Sequence, residues 1–382
     1  MKVRVQGSGG TRGWPEPGCR CASCQRARAA GAGRAPVSVI VDGVLRLDGP
    51  HAAALTGNGP PPEWDGGTGR GLAGCQVTRL AGGWDVTAPD GGRLLCADGQ
   101  GPAPAVPPGT RRYDVALLDL LGDPAQLGQL RGQGVVTSGT AVAVLLADHR
   151  VVSERELLRR GHIWRVAVPR DGDTFCVPAP GAVAAPGAVA PPGVAPVPAA
   201  GERPIPYRVL VLGGARSGKS AEAEMRVTGE PAVTYIATGP AAAPDDAEWA
   251  ARIARHRARR PGWWRTAEST DLAGVLRQAR GAILVDSITT WLAAAMGECG
   301  AWDGTAGAAR LLGERVAGLV AVWRQASAYL VAVSDETGLG IVPETAAGRM
   351  FRDELGRLNQ LLAAESDEVI MVVAGRATTV TG

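Results

Sequence analysis

The chain has 382 residues, a length that predicts two domains, and its 45% hydrophobic content is enough for two sizeable cores. A net charge of +3 gives no support for binding to nucleic acid, and no apolar run approaches the roughly 18 to 20 residues that span a bilayer. The first ten residues lack the apolar core of a signal peptide, and seven cysteines are an odd number, so we expect a protein of the reducing cytoplasm.

Residues 1–176 are predicted to form a strand-rich α/β domain. Runs rich in aliphatic and β-branched residues predict strands or hairpins at "KVRVQG", "SVIVDGVLRL", "WDVTAPDGGRLLCA" and "YDVALLDLL". The segment "ERELLRRG" predicts one short helix.

Three cysteines, Cys19, Cys21 and Cys24, lie close together in "CRCASC" near the start of this domain. Three thiolates at this spacing are typical of a structural Zn²⁺ site, which needs a fourth ligand. The candidates for that ligand are His162, Cys75 and Cys96, and the sequence does not choose between them. Three reduced cysteines without a metal are the alternative.

Residues 177–204, "VPAPGAVAAPGAVAPPGVAPVPAAGERP", consist almost entirely of proline, alanine, glycine and valine. Repeated proline blocks both helix and sheet, so the segment predicts a semi-rigid extended linker. The alternative is an ordered loop packed on one domain. The linker separates the first domain from a second one at residues 205–382.

In the second domain, short apolar runs alternate with helical segments. This alternation predicts a parallel sheet with helices on both faces, the architecture of P-loop nucleotide-binding proteins. The near-continuous apolar strands "AILVD" and "VIMVVAG" agree with a sheet that is covered on both faces.

A glycine-rich stretch between the first strand and helix of this domain fits the pattern G-x-x-x-x-G-K-[ST]. Its glycines let backbone N–H groups surround phosphate oxygens, and its lysine and serine are predicted to reach the phosphates and Mg²⁺. That lysine is one of only two among 40 basic residues, which favours a role that arginine cannot fill. A chance glycine-rich turn is the alternative. The stretch consists of Gly213, Gly214, Ala215, Arg216, Ser217, Gly218, Lys219 and Ser220.

Asp286 ends the apolar strand "AILVD". A carboxylate at the C-terminal end of a strand beside a phosphate loop commonly serves Mg²⁺ or a nucleotide hydroxyl. The alternative is a turn or helix-capping role ahead of "SITTW".

His256 lies among six arginines between Arg252 and Arg265. Positive neighbours keep an imidazole neutral and nucleophilic, and they neutralise a triphosphate under attack. The cluster therefore predicts a covalent role for His256 at a polyphosphate, with a solvated basic helix face as the alternative.

Six segments in the second half, "VLVLGGARSGKS", "YIAT", "RIARHRARRP", "ILVDSITTWL", "GLGIVPE" and "FRD-x-x-GRLNQ", follow one another in a characteristic order and spacing. With these segments, residues 207–382 resemble the bifunctional adenosylcobinamide kinase / adenosylcobinamide-phosphate guanylyltransferase family of cobalamin assembly. The last two segments are far more specific than the phosphate loop, which many families share.

The resemblance implies two reactions. The family phosphorylates adenosylcobinamide with GTP or ATP, and it then attacks the α-phosphate of GTP with a histidine whose pattern, R-I-x-x-H-[RK], falls on His256. GMP passes from the histidine to the substrate phosphate and gives adenosylcobinamide-GDP. The family also implies a homo-oligomer. Besides residues 213–220, the implied nucleotide contacts are Thr238, Gly239, Arg259, Arg260, Glu268 and Asp286.

Three positions depart from the family pattern. Asp335 stands where the family often has asparagine, Trp249 replaces a methionine, and the ending "GRATTVTG" lacks the usual apolar and basic residues. We expect none of these positions to touch His256 or the phosphate loop, so they put substrate detail in doubt rather than the reaction type.

Residues 1–28, together with "YDVALLDLLGDP" and "ADHR", resemble metallo-β-lactamase-fold phosphodiesterases. Catalysis in that fold needs two metals held by H-x-H-x-D-H, and this chain lacks the motif: His51, His149 and His162 are isolated in sequence. We therefore expect a catalytically silent domain with a structural, docking or regulatory use.

Two other functions compete with this hypothesis. A nucleotide-switched binding module would explain Lys219, but neither His256 among its arginines nor "GLGIVPE". An enzyme that retains only the kinase or only the guanylyltransferase activity is the other alternative.

Overall fold

A computed structural model of the chain describes residues 1–55, 70–99, 103–177, 205–239, 251, 254, 257–258, 260–278 and 280–380. The contacts divide the chain into two compact units, Met1–Glu202 and Arg203–Gly382. Of the predicted linker, residues 177–204, only Val177 lies within the described residues, so its extended form stays a prediction.

The first unit contains two β-sheets. The strands of the five-stranded sheet are β1 (Lys2–Gly7), β2 (Ser38–Val41), β3 (Leu45–Asp48), β4 (His51–Ala54) and β11 (Thr174–Cys176). Those of the six-stranded sheet are β5 (Arg70–Leu72), β6 (Cys75–Leu80), β7 (Gly83–Thr87), β8 (Arg93–Ala97), β9 (Val115–Leu118) and β10 (Ala141–Val144). The strand orders are β11-β1-β2-β3-β4 and β10-β9-β8-β7-β6-β5. Helices α1, α2 and α3 span Ala22–Ala29, Ala125–Gly132 and Glu154–Trp164.

The two sheets share one hydrophobic core because their strands carry alternating apolar side chains. In β1, Val3 and Val5 are fully buried while their neighbours are exposed, and Trp84 and Val86 of β7 belong to the same core. The predicted strands and the helix at "ERELLRRG", now α3, are confirmed, and so is a strand-rich α/β domain. Its relation to the metallo-β-lactamase fold stays a prediction.

The second unit is built around one seven-stranded sheet. Its strands are β12 (Tyr207–Gly213), β13 (Val233–Ala237), β14 (Arg265–Glu268), β15 (Ala282–Asp286), β16 (Tyr329–Asp335), β17 (Glu368–Val373) and β18 (Arg376–Thr379). The described helices are α4 (Lys219–Val227), α5 (Leu272–Gln278), α6 (Ile288–Glu298), α7 (Ala308–Gln325) and α8 (Ala346–Ala364). The strand order is β14-β13-β15-β16-β12-β17-β18, with every pair parallel except β17 and β18.

Alternate residues of the central strands enter two separate cores. Leu210 and Leu212 of β12 pack with α5 to α8, whereas Val209 and Val211 pack on the opposite face with Ala223 of α4. Helices therefore cover both faces of the sheet, and the predicted P-loop type of α/β architecture is confirmed.

Candidate nucleotide site and candidate metal centre

The glycine-rich stretch joins the C-terminal end of β12 to α4, which begins at Lys219. Gly218 has a φ of 100°, in the left-handed region that favours glycine. A Cβ on Gly213 would lie 2.5 Å from the Ser217 Oγ and 2.6 Å from the Val372 carbonyl oxygen, so a side chain is excluded there. Both glycines of the pattern are therefore required by the local geometry, and the predicted strand-loop-helix context is confirmed.

Lys219 is almost buried, with 8% of its surface exposed. Its Nζ lies 2.7 Å from the Asp335 Oδ1 and donates to the Gly214 carbonyl oxygen at 3.1 Å. Asp335 ends β16, where it lies opposite Gly213 in the strand that pairs directly with β12. The expectation that position 335 does not touch the phosphate loop was therefore wrong. The segment "LVAVSD" resembles "AILVD" in being an apolar strand that ends in a carboxylate, and this similarity could have indicated the contact.

Asp335 is held in place by its neighbours. Its backbone N–H donates to the Thr289 Oγ1 at 2.8 Å, and its carbonyl oxygen accepts from the Asn359 Nδ2 at 3.1 Å. The Asn359 Oδ1 in turn accepts from the Ser334 hydroxyl at 2.7 Å, and Asn359 itself is only 4% exposed. The asparagine of "GRLNQ" thus fixes the end of β16 beside the phosphate loop.

Asp286 lies one strand further from the loop, because β15 is separated from β12 by β16. The Tyr235 hydroxyl donates a hydrogen bond to the Asp286 Oδ2. Burial, and then the charge of Asp286, raises the pKa of Tyr235, which keeps this donor protonated. The guanidinium of Arg260 lies 3.2 Å from the centre of the Tyr235 ring. Tyr235 therefore connects two of the predicted nucleotide contacts, Asp286 and Arg260.

The Thr238 hydroxyl is fully engaged by the protein. Its oxygen lies 2.5 Å from the Ser287 carbonyl oxygen and 2.7 Å from the Thr290 Oγ1, and it accepts from the Ser287 N–H at 3.0 Å. This side chain ties the end of β13 to the start of α6. The nucleotide contact predicted at Thr238 and Gly239 stays a prediction.

The described part of the arginine-rich segment lines a cavity of about 370 Å³. Arg257 donates to the Glu268 Oε1 at 2.5 Å. The predicted nucleotide contacts Glu268 and Arg260 both line this cavity. The Arg260 Nε and Trp264 Nε1 atoms are buried without a hydrogen-bond partner among the described residues. His256 and Arg259 lie outside the described residues. The cavity is lined by Arg257, Arg260, Pro261, Gly262, Trp264, Thr266 and Glu268.

The first unit holds a cluster of four potential metal ligands: Cys19, Cys21, Cys24 and His149, whose ligand atoms all lie within 4.8 Å of one another. The His149 Nδ1 is 3.9 Å from the Cys19 Sγ and 4.0 Å from the Cys24 Sγ. The Cys24 N–H donates to the Cys21 Sγ at 3.4 Å, and this hydrogen bond lowers the pKa of the Cys21 thiol. Burial raises the pKa of Cys24 to about 11.

The three candidates for the fourth ligand were wrong. His149 joins the cysteines, whereas Cys75 and Cys96 are buried in β6 and β8 within the core between the sheets, and His162 is exposed on α3. A bridge between Gly9 and Ala147 brings the segment after β10 beside the turn that leads to the cysteines. The sequence does not show this pairing, so it gave no reason to choose His149.

Arg150, in the loop after β10, pairs with two carboxylates, one of them directly after β9. Its Nη1 lies 2.9 Å from the Asp119 Oδ2, and its Nε lies 2.8 Å from the Asp148 Oδ1. The cysteine cluster is the one group of three or more potential metal ligands in the described part of the chain. The catalytic silence of the first unit stays a prediction.

The parallel sheet and the loop that places Lys219 at the start of α4 define the second unit as a P-loop nucleotide-binding domain. The chain belongs to the family described as cobinamide kinase / cobinamide phosphate guanyltransferase, whose model matches residues 209–380. The family resemblance predicted from the motifs is confirmed, and the first unit lies outside this match.

Three curated proteins are similar in sequence to part of this chain. The bifunctional adenosylcobalamin biosynthesis protein CobU of Salmonella typhimurium is 42% identical over 177 residues, which cover 44% of this chain and 96% of that protein. CobU of Escherichia coli is 38% identical with the same two coverages, and CobP of Pseudomonas aeruginosa is 44% identical over 174 residues, covering 44% of this chain and 94% of that protein.

Solved structures resemble the chain more distantly. An ATPase of a bacterial type III secretion system matches with 14% identity and a TM-score of 0.30, over 46% of this chain and 57% of that one. A Pyrococcus horikoshii protein matches with 8% identity and a TM-score of 0.28, over 46% of this chain and 86% of that one. In the described part of the chain, none of the helices has the length and apolarity to cross a membrane.

Proposed function

We propose that this protein phosphorylates adenosylcobinamide and then transfers GMP from GTP to the product, giving adenosylcobinamide-GDP for cobalamin assembly. The observation that carries the proposal is the sequence match. Residues 209–380 match the family model, and the similarity covers 96% of the length of CobU from Salmonella typhimurium. The local geometry around Lys219 supports it, because the buried ammonium and the start of α4 both favour a bound phosphate chain.

The described residues also suit Mg²⁺, which prefers oxygen ligands. The Ser220 hydroxyl belongs to the first turn of α4, and the Asp335 carboxylate contacts the neighbouring Lys219. When Mg²⁺ is bound with a nucleotide, it neutralises negative charge on the phosphates. Lys219 holds the phosphate chain, and Asp335 fixes the position of Lys219.

For the second step we assign His256 as the nucleophile. An imidazole nitrogen attacks the α-phosphorus of GTP, and pyrophosphate leaves with the electrons of the broken P–O bond. A phosphate oxygen of adenosylcobinamide phosphate then attacks the same phosphorus, and the imidazole is released. The guanidinium groups of Arg257 and Arg260, which line the cavity beside Glu268, supply positive charge to the polyphosphate.

Product analysis tests the proposal and separates it from its alternatives. The full chain is incubated with adenosylcobinamide, GTP or ATP, and Mg²⁺, and the corrinoids are separated by liquid chromatography and mass spectrometry. We expect adenosylcobinamide phosphate first, and then adenosylcobinamide-GDP with release of pyrophosphate. One product without the other would indicate a single retained activity. Nucleotide binding without either product would support a nucleotide-switched binding module.

We also propose that Cys19, Cys21, Cys24 and His149 hold one structural Zn²⁺. Tetrahedral zinc, with Zn–S bonds of about 2.3 Å and Zn–N bonds of about 2.1 Å, places a sulfur and a nitrogen ligand roughly 3.6 Å apart. The distances from the His149 Nδ1 to the Cys19 and Cys24 Sγ atoms, 3.9 and 4.0 Å, exceed this separation by only a few tenths of an ångström. The metal would tie α1 to the segment after β10, since Cys24 lies in α1 and His149 follows that strand.

Replacing Cys24 with serine is expected to remove about one zinc per chain and to lower the melting temperature, because the site loses a thiolate ligand. Zinc is measured by plasma mass spectrometry and unfolding by circular dichroism. Cys176→Ser is the matched control, since Cys176 is exposed in β11 and outside the cluster. Zinc-free wild-type protein, or a Cys24→Ser protein that keeps its zinc, would contradict the assignment.

Other aspects stay predictions from the sequence: a cytoplasmic location, a homo-oligomer, and the absence of a nucleic-acid partner. A silent first unit is tested with the full chain. The prediction would be overturned if the protein bound two metal ions besides the one at the cysteine site. It would also have to show phosphodiesterase activity that persists when the phosphate loop is inactivated.

A further inference from the structure

The Lys219 ammonium is already paired in the protein. Its Nζ contacts the Asp335 carboxylate at 2.7 Å and the Gly214 carbonyl oxygen at 3.1 Å, and 9% of its side chain is exposed. A carboxylate this close to a nearly buried ammonium satisfies the positive charge that a phosphate chain needs. A nucleotide that binds at Lys219 must therefore compete with Asp335.

The backbone of Asp335 is held beside the phosphate loop. Thr289 and Asn359 hold its backbone N–H and carbonyl oxygen, and the Glu336 N–H donates to the Gly213 carbonyl oxygen at 3.2 Å. These contacts come from α6, α8 and β12 and fix the backbone of Asp335, so its carboxylate stays within reach of the phosphate loop. Two negative groups held this close repel each other unless a cation lies between them.

We propose that Asp335 is a positioning residue that makes nucleotide binding depend on a divalent cation. It holds Lys219 in place when no nucleotide is bound, and its negative charge opposes a metal-free phosphate chain. A nucleotide that arrives with Mg²⁺ removes this opposition, because the cation attracts both the carboxylate and the phosphates. The inference deepens the proposed function and depends on polyphosphate binding at Lys219.

The Asp335→Asn substitution removes the negative charge of the side chain and keeps its size and shape. Its side-chain oxygen can still accept from Lys219, and the backbone contacts to Thr289 and Asn359 do not involve the side chain of residue 335. The Asp335→Asn protein therefore keeps the architecture of the loop and loses only the negative charge. A change in cation dependence in this variant reports the charge.

The experiment measures GTP affinity by calorimetry, with Mg²⁺ and with EDTA, so it needs no corrinoid and no turnover. We expect Mg²⁺ to strengthen binding to the wild type by about tenfold or more, the size of one screened charge interaction. In Asp335→Asn, metal-free affinity should rise about tenfold, and the effect of Mg²⁺ should shrink accordingly. Asp303→Asn makes the same exchange at an exposed aspartate between α6 and α7 and is expected to behave as the wild type.

A failure of the inference and a failure of the proposed function give different results in this experiment. If the wild type binds GTP and Asp335→Asn has the same dependence on Mg²⁺, the role of Asp335 is wrong while the nucleotide site stands. If the wild type binds no GTP in either condition, the proposed function itself fails. Melting curves check folding, and Asp335→Ser, which also removes the charge, must show the same reduced dependence if the inference is correct.

Discussion

Replacing His256 with alanine is expected to abolish the covalent GMP adduct, by at least about a thousandfold in rate, because no other imidazole replaces the nucleophile. GTP binding at the phosphate loop should persist, since Lys219 and its contacts belong to β12, α4 and β16. The measurement is incubation with GTP labelled at the α-phosphate, followed by denaturing electrophoresis. A phosphorus–nitrogen bond predicts an adduct that is labile in acid and stable in base.

The control is His162→Ala, which removes an exposed histidine on α3 of the first unit and should label like the wild type. Melting curves and GTP binding of both variants exclude unfolding as the cause of lost labelling. A labelled band of undiminished intensity in the His256→Ala protein would assign the nucleophile to another residue. No label in the wild type under any condition would remove the covalent mechanism altogether.

Much of the second unit could be predicted because its sheet is buried on both faces. Central strands such as β12 and β16 then appear in the sequence as continuous apolar runs, and the helices between them as amphipathic segments. The two edge strands, β14 and β18, and the short helix α5 were not predicted. "RTAE" and "RATT" are mostly exposed, so neither carries an apolar pattern that distinguishes a strand from a loop.

In the candidate site, features set by residues close in sequence could be predicted, whereas features set by distant segments could not. The phosphate loop was predictable because its geometry depends on residues that adjoin in sequence, and Gly213 and Gly218 are required there by sterics and by φ. The contact of Lys219 with Asp335 depends on which strand lies beside β12, and no local pattern gives the strand order. The position of His149 beside the three cysteines depends likewise on a pairing between distant segments.

Lys219→Arg is expected to weaken GTP binding by about thirtyfold or more, even though the positive charge is kept. The lysine is nearly buried, and its Nζ fits between Asp335 and the Gly214 carbonyl oxygen. A planar guanidinium is larger, and its fork of donors pairs in two places with a carboxylate, so it would stay bound to Asp335 and leave the phosphates. Loss of one charged hydrogen bond, about 2 kcal/mol, corresponds to a change of this size.

The chain offers a matched control for this variant, because Lys2 is its only other lysine and is exposed on β1 of the first unit. Lys2→Arg makes the identical exchange and should leave GTP affinity unchanged in the calorimeter. Combining Lys219→Arg with Asp335→Asn should restore part of the lost affinity, since the neutral amide no longer traps the guanidinium in a bidentate pair. If Lys219→Arg alone binds GTP as tightly as the wild type, the scarcity of lysine in this chain has no bearing on the loop, and charge rather than shape governs phosphate binding there.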